Sequence, residues 1–309
     1  MNKGALAILD CLGFRGIWKE TTPEMVISKM TAIHQWASSD EFRQTSDFLR
    51  EHGDRLNVQA TLLSDTIVAS VNQIPSETEP EMPAFILLQK LVEFVEAINA
   101  KFVGEDPRIL LRGCITYGEH IITDRFIIGP AVDRAASYEK LANGAFIWLD
   151  PAAGRLYDEY LTFMRAVSFP KLTEDGINRL LRDDSLELSY KLIKIAISQV
   201  GFRDHPKFAV PIKGGESLVS YVVQPFRGLN KVKQGELYKT FEEILSRDDR
   251  IDVVIKRNNT LAFLDYVIKC DDELDEEMTQ HLIEKEMYGL VDSSDRDWRS
   301  KARDILKNA

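Results

Sequence analysis

Cysteine is scarce in this 309-residue chain: there are three, Cys11, Cys114 and Cys270, and no two form a CxxC pair. An odd, dispersed set excludes a disulfide framework and a thiolate zinc site, and it suits a reducing compartment. Histidine is sparse as well. The five residues show no metal-ligand spacing, and no Ser-His-Asp signature is present. Positive charge is in deficit: the net charge of −10 argues against non-specific binding to nucleic acid or an anionic membrane surface. The aromatic pattern of an RNA-binding ferredoxin-like domain is missing too. No apolar run approaches the roughly 20 residues of a membrane span. The opening stretch MNKGALAILD meets an acid too soon for a signal peptide. Internal repeats are absent. What remains is the expectation of a soluble, cytoplasmic globular protein. An acidic protein of this kind needs a local cationic patch or a bound metal if its substrate is phosphorylated.

The composition is ordinary, with 44% hydrophobic and 28% charged residues, and the length allows one large domain or two modest ones. Residues 5–9 are an apolar run that fits a buried strand. Pro23 then opens a helical segment carrying Met25, Ile27, Met30, Ile33 and Trp36. NVQATLLSDTIVASV reads as two strands about a Ser64-Asp65 turn. Leu88, Leu91, Val92, Val95, Ile98 and Phe102 recur at helical spacing, in a helix that ends at Gly104 and Pro107. RILLRGCITYGEHIITDRFIIG alternates and predicts a hairpin turning near Gly118-Glu119. PAVDRAASYEKLANG predicts a helix from Pro130 to Gly144, and AFIWL a strand. The opening order of strand, helix, two strands and helix is that of the ferredoxin-like split βαβ unit, so an α+β sandwich is expected. Residues 150–205 read as largely helical, and KFAVPIKGGESLVSYVVQPF as a further hairpin. A boundary near Arg227 separates a domain over residues 1–226 from a helical C-terminal extension over residues 227–309. The acidic block at 271–286 reads as a solvated helix face.

Two carboxylates end or turn strands, Asp10 and Asp65. Asp at a turn or a helix N-cap is commonplace, but a buried strand has no use for an unpaired charge. In a split βαβ sheet the strands that carry these two acids are neighbours. Paired carboxylates with a backbone carbonyl make a hard oxygen site, of the kind Mg²⁺ or Mn²⁺ uses beside substrate phosphates. Gly13 and Phe14 follow where the strand turns, and exposed N–H groups there suit a phosphate.

Five stretches, in order, resemble the class III nucleotidyl cyclases. ILDCLGF is similar to the family's first metal-binding motif and LLSDT to the second. RGCITYG resembles its Arg-x-Gly-Ile-x-x-Gly strand, with Arg112 and Gly118 in place. IIGPAVDRAASYEKLANGAFIWL resembles its helix motif at Gly129, Val132, Ala135 and Glu139, and IKGGESLVSYVV its late strand, whose phosphate-binding lysine is here Lys213. The likeness covers about residues 4–225. It implies the α+β catalytic domain of that family, with two Mg²⁺ or Mn²⁺ ions per site held by Asp10, Asp65 and the carbonyl of Cys11. It also implies phosphate binding at Leu12, Gly13 and Phe14, a nucleoside triphosphate cyclised with loss of pyrophosphate, and a homodimer whose active sites lie at the interface.

The departures narrow the expectation. Where purine cyclases carry base-reading polar residues, this chain has Thr61 and Phe126. Loss of a hydrogen-bonding pair weakens purine selection sharply. The asparagine and arginine positions of the helix motif hold Asp133 and Ser137, which share a face opposite the apolar stripe. Arg134 or Arg125 can supply the missing charge, although a lone arginine is most often a solvated one. Metal acids kept and purine readers replaced is a combination similar to the pyrimidine (uridylate or cytidylate) cyclases of bacterial Pycsar anti-phage systems. That likeness implies UTP or CTP as substrate and a downstream effector protein that senses the cyclic product. Two alternatives stand beside it: an adenylate or guanylate cyclase with an atypical base pocket, and a silent cyclase-like module that binds nucleotide or a partner without turnover.

Overall fold

Alternation along the first strand sets the architecture. In β1 (Asn2–Leu12), Ala5, Ala7, Leu9 and Cys11 enter the main core, while Leu6 and Ile8 pack on the opposite face of the sheet. The structure, a computed structural model, describes residues 2–12, 17–18, 21–37, 39, 55–76, 81–123, 125–168, 205–226, 229 and 231–287. The main core is closed by α1 (Pro23–Ala37) and α2 (Ala84–Gly104). Leu88, Leu91, Val92, Val95, Ile98 and Phe102 of α2 are fully enclosed. Each such side chain contributes on the order of 1.5–3 kcal/mol. At the far end of α2, the Lys29 ammonium donates to the carbonyls of Phe102 (2.9 Å), Pro107 (2.8 Å) and Glu105. It thereby satisfies acceptors that a helix C-terminus leaves open. Burial draws its pKa down to about 8.

β2 (Leu56–Leu63), β3 (Thr66–Gln73) and β4 (Leu110–Ile122) complete a sheet ordered β2-β3-β1-β4, antiparallel at every step. This is the ferredoxin-like order, as the sequence led us to expect. β5 (Ile127–Ile128) pairs with the end of β4; α3 (Pro130–Glu139) lies over β1 and β4 on the second face. β6 (Ile147–Leu149) adds a parallel strand beside β4, followed by α4 (Pro151–Ser168) and the hairpin of β7 (Lys207–Pro211) and β8 (Ser217–Tyr221). The chain ends in α5 (Lys231–Leu245) and α6 (Ile251–Met287).

Three expectations need correction. β4 runs unbroken through Gly118, and the turn lies at residues 123–126, closed by the Thr123 N–H on the Phe126 carbonyl. Gly118 is a glycine for packing: a Cβ there would stand 3.3 Å from Arg134 Nη2 and 3.4 Å from Ala131 Cβ. α3 stops at Glu139, five residues short of Gly144, because the chain must reach a bridge between Ala142 and Ile212. TLAFLDYVIKC and EEMTQHLIEKEMYGL, which each read as helical, lie in one helix, α6, as far as Met287, and it carries the whole acidic block; residues 169–204 lie outside the described part. The C-terminal helices do not stand apart from the domain. Phe241, Phe263 and Leu264 share a second core with Phe146, Trp148 and Phe226.

Candidate active site

Sheet register builds one row of side chains across the end of β1. Leu63 faces Thr66, Thr66 faces Asp10, and Asp10 faces Arg112. Asp65 sits next to that row in the β2–β3 turn, where Ser64 takes a left-handed φ of 60°. The Cys11 N–H donates to the Asp65 carbonyl at 2.9 Å. In an extended strand the N–H and C=O of one residue point the same way, so the Cys11 carbonyl also faces the Asp65 turn. Its thiol points the other way, into the main core. Burial, reinforced by the charges of Asp10 and Asp65, pushes the thiol up to about 12, so it stays protonated and is no nucleophile.

Arg112 is the hub. Its Nη2 and Nε lie 2.8 and 2.9 Å from Asp10 Oδ2. Nε also lies 3.0 Å from Glu139 Oε1, without the alignment of a hydrogen bond. Two carboxylates from a strand and a helix thus share one guanidinium. Burial raises the Asp10 carboxyl; Arg112 pulls it down and Asp65 pushes it up again, leaving it above its ordinary value. Glu139 is raised likewise, by burial first, with Arg112 opposing and Asp10 adding to the rise. On the third side is Lys213, on the β7–β8 turn, whose N–H donates to the Leu141 carbonyl at 2.9 Å. Gly214 and Gly215 follow at φ of 107° and 90°, which only glycine adopts without strain. Burial and the neighbouring Arg112 draw the Lys213 ammonium down, and Glu139 offsets them.

Because both carboxyls stand above their unfolded values, the folded protein holds these protons better than the unfolded chain does. Their contribution to stability is therefore complete at low pH and is lost as pH rises through the raised values. Thermal melts in metal-free buffer between about pH 4 and 7 are expected to show that decline. Glu139→Gln should flatten it; an unchanged slope would show that Glu139 does not titrate there.

Asp10, Asp65 and the Cys11 carbonyl fit a small divalent cation. All three donors are oxygen, two are anionic, and they lie on the end of β1 and the adjoining β2–β3 turn. Among the described residues no three side chains of His, Cys, Asp or Glu converge as a closed cage. The set therefore suits Mg²⁺ or Mn²⁺, which fill their coordination with water and phosphate, better than zinc.

The other candidates are distributed unevenly. Leu12 is half-buried against the second core, while Gly13 and Phe14 lie outside the described residues. Asp133 and Ser137 are on the exposed face of α3, Ser137 Oγ donating to the Asp133 carbonyl at 2.8 Å. Thr61 is on the same sheet face as Asp10, in the next row (Thr61, Val68, Ile8, Cys114). Phe126, 63% exposed, lies past the end of β4. Ile122 is eight residues along that strand from Cys114, roughly 26 Å, so Thr61 and Phe126 share no pocket within one chain.

Arg134 turns inward. Its guanidinium lies 2.6 Å from Asp150 Oδ2, donates to Thr116 Oγ1 at 2.8 Å, and reaches the Tyr117 carbonyl. Thr116 is four residues up β4 from Arg112, roughly 13 Å from the Asp10 row. Asp150 is wholly buried and caps α4, accepting the Ala153 N–H at 2.7 Å. Sequence reasoning missed Asp150, although an acid directly before Pro151 is a helix-start signal. Arg134→Ala leaves that buried carboxylate half paired. It is expected to cost about 3 kcal/mol in urea unfolding; a loss of activity with no loss of stability would instead make Arg134 a group that touches substrate.

No protein-family model matches the chain, and no curated protein matches its sequence. Solved structures are similar to parts of it, three guanylyl cyclase domains among them. The monomeric guanylyl cyclase domain of the RhoGC fusion protein from the aquatic fungus Blastocladiella emersonii, a double mutant, is 13% identical with a TM-score of 0.36, covering 51% of this chain and 84% of that one. A non-canonical dimeric form of that fungal domain is 12% identical with a TM-score of 0.36, at the same coverage. The catalytic core of a rhodopsin-guanylyl cyclase with converted specificity, in complex with ATPαS, is 11% identical with a TM-score of 0.39, covering 72% of this chain and 94% of that one.

Proposed function

We propose that the chain is a nucleotidyl cyclase of the class III kind, acting on UTP or CTP to give the 3′,5′-cyclic nucleotide and pyrophosphate. The observation that carries the reading is the strand register that brings Asp10, Asp65 and Arg112 to one edge of the sheet. The order of the five sequence motifs adds to it. A divalent metal bound at Asp10 and Asp65 supplies neutralisation of triphosphate charge and a lowered pKa for the attacking hydroxyl. Arg112 and Lys213 face the same edge and hold phosphate oxygens. The ribose 3′-oxygen displaces pyrophosphate from the α-phosphate in line, losing its proton to solvent, and catalysis is mainly positioning and charge stabilisation.

The pyrimidine preference is supported by Thr61 and Phe126, which provide no charged pair for a purine. Their separation within one chain means that a pocket using Phe126 beside the metal edge draws it from a second copy, in keeping with a homodimer. An effector that senses the cyclic product, and a role in anti-phage defence, follow from the Pycsar resemblance alone. No helix among the described residues is long and apolar enough to cross a membrane.

One observation favours the silent-module alternative: Arg112 already occupies an oxygen of Asp10. The deciding experiment incubates the protein with UTP, CTP, ATP and GTP separately, each with Mn²⁺, and resolves the products by chromatography. Cyclic UMP or CMP supports the proposal. A purine product keeps the cyclase and sinks the account of Thr61 and Phe126. No product from any of the four leaves the silent module.

A further inference from the structure

Residues 140–146 tie three parts of the site together. They begin where α3 ends at Glu139. They hold the Lys213 turn through the Lys213 N–H on the Leu141 carbonyl (2.9 Å) and the Asn143 N–H on the Pro211 carbonyl (2.8 Å). They also anchor α6. Asn259 Nδ2 donates to the Asn143 carbonyl at 2.7 Å, and the Ala145 N–H donates to Thr260 Oγ1 at 2.9 Å. Phe263 meets Phe146 edge-on, with ring centroids 5.6 Å apart.

Lys256 is one helical turn before Asn259 and Thr260, on the same side of α6. Thr260 Oγ1 donates to its carbonyl at 2.7 Å. The loop that positions Lys213 thus also fixes the turn of α6 that carries Lys256. Its ammonium has a loose partner, Asp252 at 3.6 Å, itself 55% exposed. Its charge reaches both the Asp10 carboxyl and the Lys213 ammonium. Asp10 and Glu139 already share Arg112, and the like charges of Lys256 and Lys213 repel one another. That arrangement is favourable when a dense anion lies between them.

We propose that Lys256 binds the phosphate chain of the substrate, making α6 part of the active site as the source of a third cation beside Arg112 and Lys213. This inference rests on the cyclase reading given above.

The test titrates pyrophosphate with Mg²⁺ into the full chain by calorimetry and, alongside, measures KM for whichever triphosphate is turned over. The variants are Lys256→Gln, Lys256→Arg and, as a control for charge on the same helix, Lys269→Gln. Lys256→Gln is expected to weaken pyrophosphate binding and raise KM by about fivefold, with Lys256→Arg restoring most of both and Lys269→Gln changing neither. Three results would overturn the proposal: Lys256→Gln binding like wild type, Lys269→Gln losing as much, or wild type failing to bind pyrophosphate. Failure of the cyclase reading looks different, since pyrophosphate binding would still depend on Lys256 while no triphosphate gave product.

Discussion

Asp65→Ala is expected to reduce cyclic-nucleotide formation by at least about a thousandfold, the size of effect that losing several kcal/mol of metal-borne charge stabilisation produces. Its effect on stability should be small, within about 0.5 kcal/mol, because the side chain is half-exposed on a turn and only its backbone carbonyl is bonded to Cys11. Removing the Asp65 charge also removes one cause of the raised Asp10 carboxyl. The Asp10 resonance in an NMR titration should therefore move to lower pH in Asp65→Asn. A variant that is as active as wild type would sink the metal-site reading. One that is inactive because it is unfolded would place Asp65 in the fold instead.

Arg112→Ala should destabilise the folded state strongly. It leaves the buried Glu139 and the partly buried Asp10 as carboxylates with no shared cation, a situation that costs on the order of 3 kcal/mol. The deficit relative to wild type should be largest at neutral pH. It should shrink as pH falls and the two acids take up protons, because a raised carboxyl pKa in the folded state favours folding below it. Adding Glu139→Gln to Arg112→Ala should recover about 1 kcal/mol or more, since the residues form one network. Urea melts of the four proteins in the cycle measure this directly. Strict additivity would mean that Glu139 and Arg112, though 3.0 Å apart, do not interact.

Much of this arrangement was legible in the order of residues. The split βαβ order and the Ser64-Asp65 turn could be read because alternation and turn chemistry are local. Asp10 was informative for the same reason: a carboxylate at the end of an apolar strand is a local contradiction that asks for a partner. What local reading could not supply was the identity of that partner, since Arg112 is brought opposite Asp10 only by register between β1 and β4. Gly118 was misread as a turn because a glycine that makes room for Ala131 and Arg134 looks the same in sequence as one that bends the chain. Arg134 looked available for phosphate because Asp150 lies across an element boundary. Lys256 carried no signal at all, being one lysine among many until Thr260 and Asn259 dock its helix.

The two halves of the site belong to different classes of motion. Asp10 and Cys11 are carried by the central strand, flanked on both sides, so their amides should exchange with solvent only when the whole domain opens. Lys213 rides on an exposed glycine turn at the edge of a two-stranded hairpin, where opening is cheap. Substrate would then meet an Asp10 carboxylate that moves only with the central sheet and a Lys213 cation whose turn is held to the domain through Leu141 and Asn143 alone among its backbone partners outside the hairpin.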